Sequence, residues 1–126
     1  MPVELRLIVA GCRDFDDYSL LENKLDKLLE GIRHENIVIV SGDCRGADLL
    51  GVRYAKERGI RTVHFPADWE AFGRSAGPRR NKQMAAYAAE NNHGALAAFW
   101  DGRSKGTKNM IENAKEYHLQ IRIIKI

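Results

Sequence analysis

The stretch Ile37-Val38-Ile39-Val40-Ser41-Gly42-Asp43-Cys44-Arg45-Gly46-Ala47-Asp48 passes from an apolar, β-branched segment into a glycine-containing polar loop, and a helical pattern follows it. Residues 5–14 and 94–107 repeat this order. Glycine allows backbone amides to approach a ligand closely, and a helix start leaves amides unpaired at the positive end of its dipole. Each loop also contains at least one arginine or lysine. The three loops together predict a site for a phosphate-bearing small molecule.

We refer to residues 10–14, 41–48 and 101–107 as the first, second and third glycine loops. The first lacks the G-x-G-x-x-G pattern of dinucleotide-binding folds, and the second lacks the G-x-x-x-x-G-K-[ST] pattern of a P-loop. The loops therefore indicate anion binding without either of these standard nucleotide motifs.

Chain length and composition restrict the class of protein. At 126 residues, we expect residues 1–126 to form a single domain. The net charge of +3 is mild for a nucleic-acid-binding domain, so nucleic acid is not the expected partner. The apolar runs are far shorter than the roughly 20 residues that a membrane span needs. No signal-peptide pattern opens the sequence, so we expect a cytoplasmic location and no membrane partner.

The two cysteines, Cys12 and Cys44, are too few for a disulfide framework. Without CxxC spacing or paired histidine ligands, the sequence predicts no metal site, and no cofactor is required. Cys44 lies beside Arg45 near a predicted helix start, an environment that favours the thiolate. Because both cysteines lie in glycine loops, a redox pair remains an alternative.

Apolar segments and helical patterns alternate along the chain. The predicted strands are 5–10, 37–40, 60–65, 94–100 and 120–125, and the predicted helices are 18–32, 47–58, 78–90 and 108–117. This alternation predicts an α/β fold, a Rossmann-like three-layer sandwich with helices on both faces of a five-stranded parallel sheet of order 3-2-1-4-5. Ligands bind such sheets at the carboxyl ends of the strands, near the point where strand order reverses. The three glycine loops should therefore meet in one crevice.

The expected ligand-binding residues lie in the three loops, in the long connection before the third predicted helix and at the start of that helix. They are Gly11, Arg13, Asp14, Ser41, Gly42, Arg45, Gly46, Ala47, Asp48, Trp69, Arg79, Asn81, Lys105, Gly106 and Thr107. The backbone amides near Gly46 and Ala47, and those of the Gly106-Thr107 pair, would hold phosphate with help from the basic side chains. Structural alternatives are local helix capping and a solvated basic face.

Two carboxylates and one aromatic residue have more specific expected roles. Asp14 and Asp48 would bind a ribose or a base, and they are also the candidate catalytic residues. Asp48 would otherwise only complement the dipole of its helix. Trp69 would cover the ligand, or else pack its loop onto the sheet.

The loops also resemble those of a known family. The similar segments are Gly11-Cys12-Arg13-Asp14-Phe15, residues 41–48, residues 65–69, residues 73–81 and Lys105-Gly106-Thr107. They resemble the YspA/YpsA-related branch of the SLOG superfamily of small Rossmann-like domains. The resemblance implies a nucleotide-binding fold related to DNA-processing protein A and to the cytokinin-activating phosphoribohydrolases.

The resemblance to the phosphoribohydrolases is incomplete in the third loop. Their P-G-G-x-G-T-x-x-E motif places a catalytic glutamate shortly after the threonine. Here the first carboxylate after Thr107 is Glu112, five residues further along. The resemblance therefore implies phosphate binding by this loop without that catalytic glutamate.

Three functions follow as hypotheses. The first is a domain that binds a nucleotide or an ADP-ribose-like ligand, as a sensor or to present the ligand to a partner. The alternatives are a hydrolase of an N-glycosidic or phosphoester bond, with Asp14 or Asp48 as the base, and a single-stranded DNA-binding module. Analogy with related folds makes a homodimer a further expectation.

Overall fold

A computed structural model describes residues 3–126 of the chain. Its elements are β1 (Leu5–Gly11), α1 (Tyr18–Leu28), β2 (Ile37–Ser41), α2 (Ala47–Arg58), β3 (Arg61–His64), α3 (Trp69–Phe72), α4 (Ala76–Ala89), β4 (Gly94–Trp100), α5 (Lys105–Glu116) and β5 (Gln120–Lys125). Short 3₁₀ turns lie at His34–Asn36 and Gly73–Ser75.

The five strands form one sheet of order β3-β2-β1-β4-β5, and every neighbouring pair is parallel. Leu7 in β1 lies opposite Ile39 in β2 and Ala95 in β4, which places β1 at the centre. The predicted fold class and strand order are confirmed. The strand order reverses between β1 and β4, so the loops that follow these two strands flank the reversal point.

Both faces of the sheet are covered by helices. On one face, Leu21 and Leu25 of α1 and Tyr54 of α2 pack with Phe99 of β4. On the other, Met84 of α4 belongs to a second buried cluster with side chains of β1, β2, β4 and α5. Successive strand residues point to opposite faces, so burial on both sides explains the continuous apolar runs of the inner strands.

Helix ends follow local capping chemistry. Asp17 caps α1, since its carboxylate accepts the Leu20 amide at 3.0 Å. Gly59 ends α2 in the left-handed conformation with φ of +66°. The first helix ends at Leu28, however, and not near Ile32.

Two predicted helix starts are wrong, and both helices begin earlier. The third long helix, α4, starts at Ala76 and contains Pro78 within its first turn, where a missing amide costs nothing. The last helix, α5, starts at Lys105, because Ser104 and not a later residue caps it. The connection over residues 67–77 is partly helical, since Asp68 caps α3. Within residues 3–126, no helix combines the length and apolar character that crossing a membrane would require.

Candidate functional site

The loops that follow β1, β2 and β4 surround one cavity of about 490 Å³ at the carboxyl edge of the sheet. We refer to it as the site cavity. The buried side chains of Ala10, Met84 and Met110 provide apolar lining, and polar residues of the glycine loops and of α4 complete the walls. The convergence predicted from the strand order is therefore present. A cavity with an apolar lining and a few polar groups is the usual form of a small-molecule site.

Most of the predicted ligand-binding residues reach this cavity. Those that line it are Gly11, Arg13, Asp14, Asp48, Trp69, Asn81, Lys105, Gly106 and Thr107. Arg45 instead lines a neighbouring open cavity of about 540 Å³, together with Arg13, Asp43, Cys44 and Trp69. We refer to this second space as the rim cavity. The two cavities share Arg13, Cys44 and Trp69, so they adjoin at that point.

Four of the expected ligand-binding residues, all in the second glycine loop, do not line the site cavity. They stabilise the conformation of the loop instead. Ser41 is buried, and its hydroxyl donates to the Asp48 carbonyl at 3.3 Å. The Ala47 amide donates to the Cys12 carbonyl at 3.3 Å and is not free to bind an anion. The other two residues, Gly42 and Gly46, pack closely against neighbouring groups.

The arginine that faces the cavity is Arg80, whereas the sequence analysis selected Arg79. Arg79 is exposed, donates to the Ser75 hydroxyl at 3.1 Å and lies 4.4 Å from the centre of the Phe72 ring. Arg80 is only 8% exposed and lines the cavity. The missed signal is its spacing from Met84, because residues four apart share one face of a helix.

Arg80 fixes the second glycine loop against α4. Its Nη1 donates to the Gly42 carbonyl at 2.6 Å, and its Nη2 lies 3.7 Å from the Cys44 sulfur. A Cβ atom on Gly42 would lie 2.7 Å from the Arg80 Cζ and 2.9 Å from a carboxylate oxygen of Asp48. Glycine is therefore required here for the close approach of the guanidinium to the loop.

Asn81 connects this arrangement to the start of α5. Its Oδ1 accepts from Arg80 Nε at 3.0 Å, and its Nδ2 donates to the Gly106 carbonyl at 3.3 Å and to Asn109 Oδ1 at 3.0 Å. Asn81 is itself buried. One amide side chain thus holds two walls of the site cavity in a fixed relation.

The start of α5 presents free backbone amides to the site cavity. The Ser104 hydroxyl accepts from the Thr107 amide at 3.3 Å and also bonds the Thr107 hydroxyl at 3.0 Å. Within residues 3–126, no acceptor is found for the amides of Lys105 and Gly106. The positive end of the helix dipole and the exposed Lys105 side chain add to the attraction for an anion.

Asp101 completes the third glycine loop. Its carboxylate accepts the amides of Arg103 and Ser104, each at 2.8 Å. These two hydrogen bonds lower the pKa of Asp101. The carboxylate therefore shapes the turn that leads into α5.

The two candidate catalytic carboxylates have opposite environments. Asp48 is 4% exposed, and its Oδ2 accepts the Cys44 amide at 3.3 Å. Burial raises the pKa of Asp48 to about 6, against the lowering effect of the Arg80 charge. Asp14 has a 94% exposed side chain and pairs with Arg45 at 3.3 Å. Asp48 is thus the carboxylate that titrates near neutral pH inside the cavity.

Trp69 lies at the junction of the two cavities. It is 47% exposed, and the Arg13 guanidinium lies 5.7 Å from its ring centre. The ring edge also approaches Gly77, where an added Cβ would lie 3.2 Å from it. The position combines partial packing on α4 with an exposed surface beside the cavity.

Comparison with known proteins identifies the family to which the chain belongs. Residues 5–72 match the model of the YspA, cpYpsA-related SLOG family. This chain belongs to that SLOG family. A relative of the SLOG domain, the Gene 61 protein of Mycobacterium phage D29, is 30% identical over 116 residues, covering 88% of this chain and 89% of that protein. The resemblance seen in the glycine loops is confirmed.

A solved structure shares the fold of this SLOG domain. DNA processing protein A (DprA) from Streptococcus pneumoniae superposes with a TM-score of 0.72 at 18% identity. The match covers 98% of this chain and 51% of the DprA chain, so the SLOG domain spans about half the length of that protein. At this level of identity the similarity shows the fold alone.

Both cysteines of the SLOG domain are free thiols, and both line the site cavity. Burial raises the pKa of the Cys12 thiol. Within the described residues, no group of three or more His, Cys, Asp or Glu side chains is arranged to hold a metal ion. The chemistry available in the cavity is therefore hydrogen bonding, cationic side chains and one buried carboxyl group.

Proposed function

We propose that this SLOG domain binds a nucleotide or a nucleotide-derived ligand, either a nucleoside phosphate or an ADP-ribose-like molecule, in the site cavity. The start of α5 carries the proposal, because the unpaired amides of Lys105 and Gly106 open into that cavity beside a lysine side chain. Amides in this position are well suited to a phosphate group. As a binding domain, the protein would sense the ligand or present it to a partner.

The rest of the cavity suits the other parts of such a ligand. Asp48 lines the cavity with a buried carboxyl group that would form hydrogen bonds with ribose hydroxyls. Trp69 and Arg13 offer flat, exposed surfaces for stacking with a base at the junction with the rim cavity. Met84 and Met110 provide apolar contact within the cavity.

The role of the α5 amides is tested by replacing Gly106 with proline, which removes one amide hydrogen from the first turn of a helix, where proline is tolerated. We expect ligand affinity to fall about 10-fold or more, since a hydrogen bond to a charged group contributes about 1.5–3 kcal/mol. Isothermal titration calorimetry with a panel of nucleoside phosphates and ADP-ribose measures the change. Circular dichroism verifies that the variant is folded.

Gly106→Ala is the matched control, because it keeps the amide and places its Cβ where no atom lies within 4 Å. This variant should retain most of the affinity. The proposal fails if no compound of the panel binds the unmodified protein, or if the proline variant binds as well as the alanine variant. A short single-stranded oligonucleotide belongs in the panel, and its binding tighter than every mononucleotide, with a steep dependence on salt, would favour a DNA-binding function.

A second candidate function rests on Asp48. A buried carboxyl group with its pKa raised to about 6, in a cavity next to an arginine, is suited to general acid–base chemistry. The corresponding activity is hydrolysis of an N-glycosidic or phosphoester bond in a bound nucleotide. Chromatography of nucleotides incubated with the protein would detect the released base or phosphate. Turnover that Asp48→Asn abolishes would establish the activity, and an absence of turnover across the panel leaves binding as the function.

A further inference from the structure

Arg80 is a buried cation without an ion-pair partner. The side chain is 8% exposed and lines the site cavity. Its acceptors are the carbonyl of Gly42, the amide oxygen of Asn81 and the sulfur of Cys44, none of which is a carboxylate. Within residues 3–126, no carboxylate oxygen lies within ion-pair distance of the guanidinium. The charge of Arg80 acts on Asp48, but the two side chains form no direct ion pair, so the guanidinium can still bind an anion from the cavity directly.

The guanidinium also has hydrogen-bond donors to spare. Arginine carries five N–H groups in a planar fork, and the three contacts of Arg80 use three of them, one being a long contact to sulfur. Its Nη2 lies beside Cys44, a residue that lines both the site cavity and the rim cavity. One N–H group of Nη1 and one of Nη2 thus remain for a ligand, and arginine N–H groups of this kind bind phosphate oxygens well.

The carboxyl group in the same wall does not fill this role. Asp48 accepts the Cys44 amide, and the charge of Arg80 reaches it only through space. Two other carboxylates that line the cavity are also engaged elsewhere, Asp14 by Arg45 and Asp101 by the backbone amides of its own loop. In the part of the chain that the structure describes, no carboxylate that lines the cavity forms a direct ion pair with Arg80.

Arg80 and the start of α5 are both hydrogen-bonded to one side chain, that of Asn81. Asn81 accepts from Arg80 with its oxygen and donates to the Gly106 carbonyl with its nitrogen. One amide side chain therefore contacts both the guanidinium and the first turn of α5, and both line the same cavity. A ligand with two linked phosphate groups could contact both positions at once.

We propose that Arg80 forms a second anion subsite, and that the ligand of this domain carries a diphosphate, with one phosphate at the start of α5 and the other at Arg80. The inference rests on the proposed function and specifies its ligand class. A nucleoside diphosphate or a diphosphate-linked sugar nucleotide would occupy both subsites, whereas a nucleoside monophosphate would leave the Arg80 subsite empty.

Inorganic phosphate and inorganic pyrophosphate are the first probes, because they test the subsites without knowledge of the base. Calorimetric titration at one pH, with a chelator present to exclude metal complexes, should show pyrophosphate binding at least tenfold tighter than phosphate. The same order should hold for ADP relative to AMP, or for the corresponding pair of whichever base binds. Equal affinities for both members of each pair in the unmodified protein overturn the inference and leave the proposed function intact.

Arg80→Gln separates the second subsite from general charge attraction. This variant should lose the preference, with pyrophosphate and phosphate affinities within about twofold of each other. Arg79→Gln is the matched control, because it removes the same charge from the neighbouring residue outside the cavity, and it should retain the preference. A preference that survives Arg80→Gln contradicts the inference.

A third variant keeps the inference testable if Arg80→Gln does not fold. Arg80→Lys keeps the charge but lacks the planar fork. Its preference for pyrophosphate over phosphate should therefore lie between that of the unmodified protein and that of Arg80→Gln. If Arg80→Gln does not fold, the lysine variant and the paired affinities of the unmodified protein decide the question. If no phosphate, pyrophosphate or nucleotide binds at all, the proposed function and this inference fail together.

Discussion

Gly46→Ala is expected to lower the free energy of unfolding by about 2–6 kcal/mol and to disrupt the site cavity. Gly46 has φ of +86° and ψ of −134°, a backbone region used essentially by glycine alone, which costs other residues about 1–3 kcal/mol. An added Cβ would also collide with the Cys12 carbonyl oxygen and lie 2.7 Å from the Arg13 carbonyl carbon. These are backbone atoms that cannot rotate away, so overpacking adds about 1–3 kcal/mol. Chemical denaturation with urea measures the loss.

Gly31→Ala separates the two contributions to this effect. Gly31 has φ of +80°, but no atom lies within 4 Å of the position that its Cβ would take. This control should therefore show only the conformational cost, about 1–2 kcal/mol. Equal losses in the two variants would show that the contact between the first and second glycine loops tolerates a methyl group.

Asp48→Asn is expected to make the protein more stable at pH 7.5 than the unmodified protein, and the gain should disappear near pH 4. The folded state raises the pKa of Asp48 from 3.8 to about 6, so the folded protein holds this proton more tightly than the unfolded chain does. Stability is therefore lost as the pH rises from about 4 through 6, and the loss is complete above the folded pKa. A shift of this size corresponds to about 3 kcal/mol at neutral pH.

The measurement is the free energy of unfolding of both proteins at several pH values between 4 and 8. The difference between them should grow with pH over the interval from about 4 to 6 and then level off. Asp14→Asn provides the control, because Asp14 is 94% exposed and its surface ion pair contributes little to stability. A difference for Asp48→Asn that does not change with pH would show that the carboxyl group is better solvated than its burial indicates.

The arrangement of the loops was predictable because it depends on topology. Parallel strands joined by right-handed crossovers place all carboxyl ends at one edge, so apolar runs and glycine loops sufficed to predict the convergence on the site cavity. Individual side chains within α4 were not predictable in the same way. Arg79 and Arg80 are adjacent and chemically identical, and only the rotation of the helix decides which of them faces the cavity.

The sequence also could not predict which of the loop amides already donate a hydrogen bond within the protein. The second and third glycine loops look alike as patterns, yet the Ala47 amide is taken by the Cys12 carbonyl while the Lys105 and Gly106 amides stay free. A polar loop shows which donors exist, whereas the neighbouring chain decides which of them are already paired. The proposed anion site therefore comprises the start of α5 and Arg80, and it no longer includes the amides of the second loop.

The sequence by itself determined the fold class, the strand order and the family of this domain, because hydrophobic periodicity and the glycine loops are local properties of the chain. Only the tertiary structure decided which charged groups are buried and which of them form direct ion pairs. Arg80 lines the site cavity because α4 packs against a loop almost forty residues away, where the Gly42 carbonyl accepts its hydrogen bond. Burial and pairing depend on residues distant in sequence, and these two properties are the basis for proposing Arg80 as a second anion subsite.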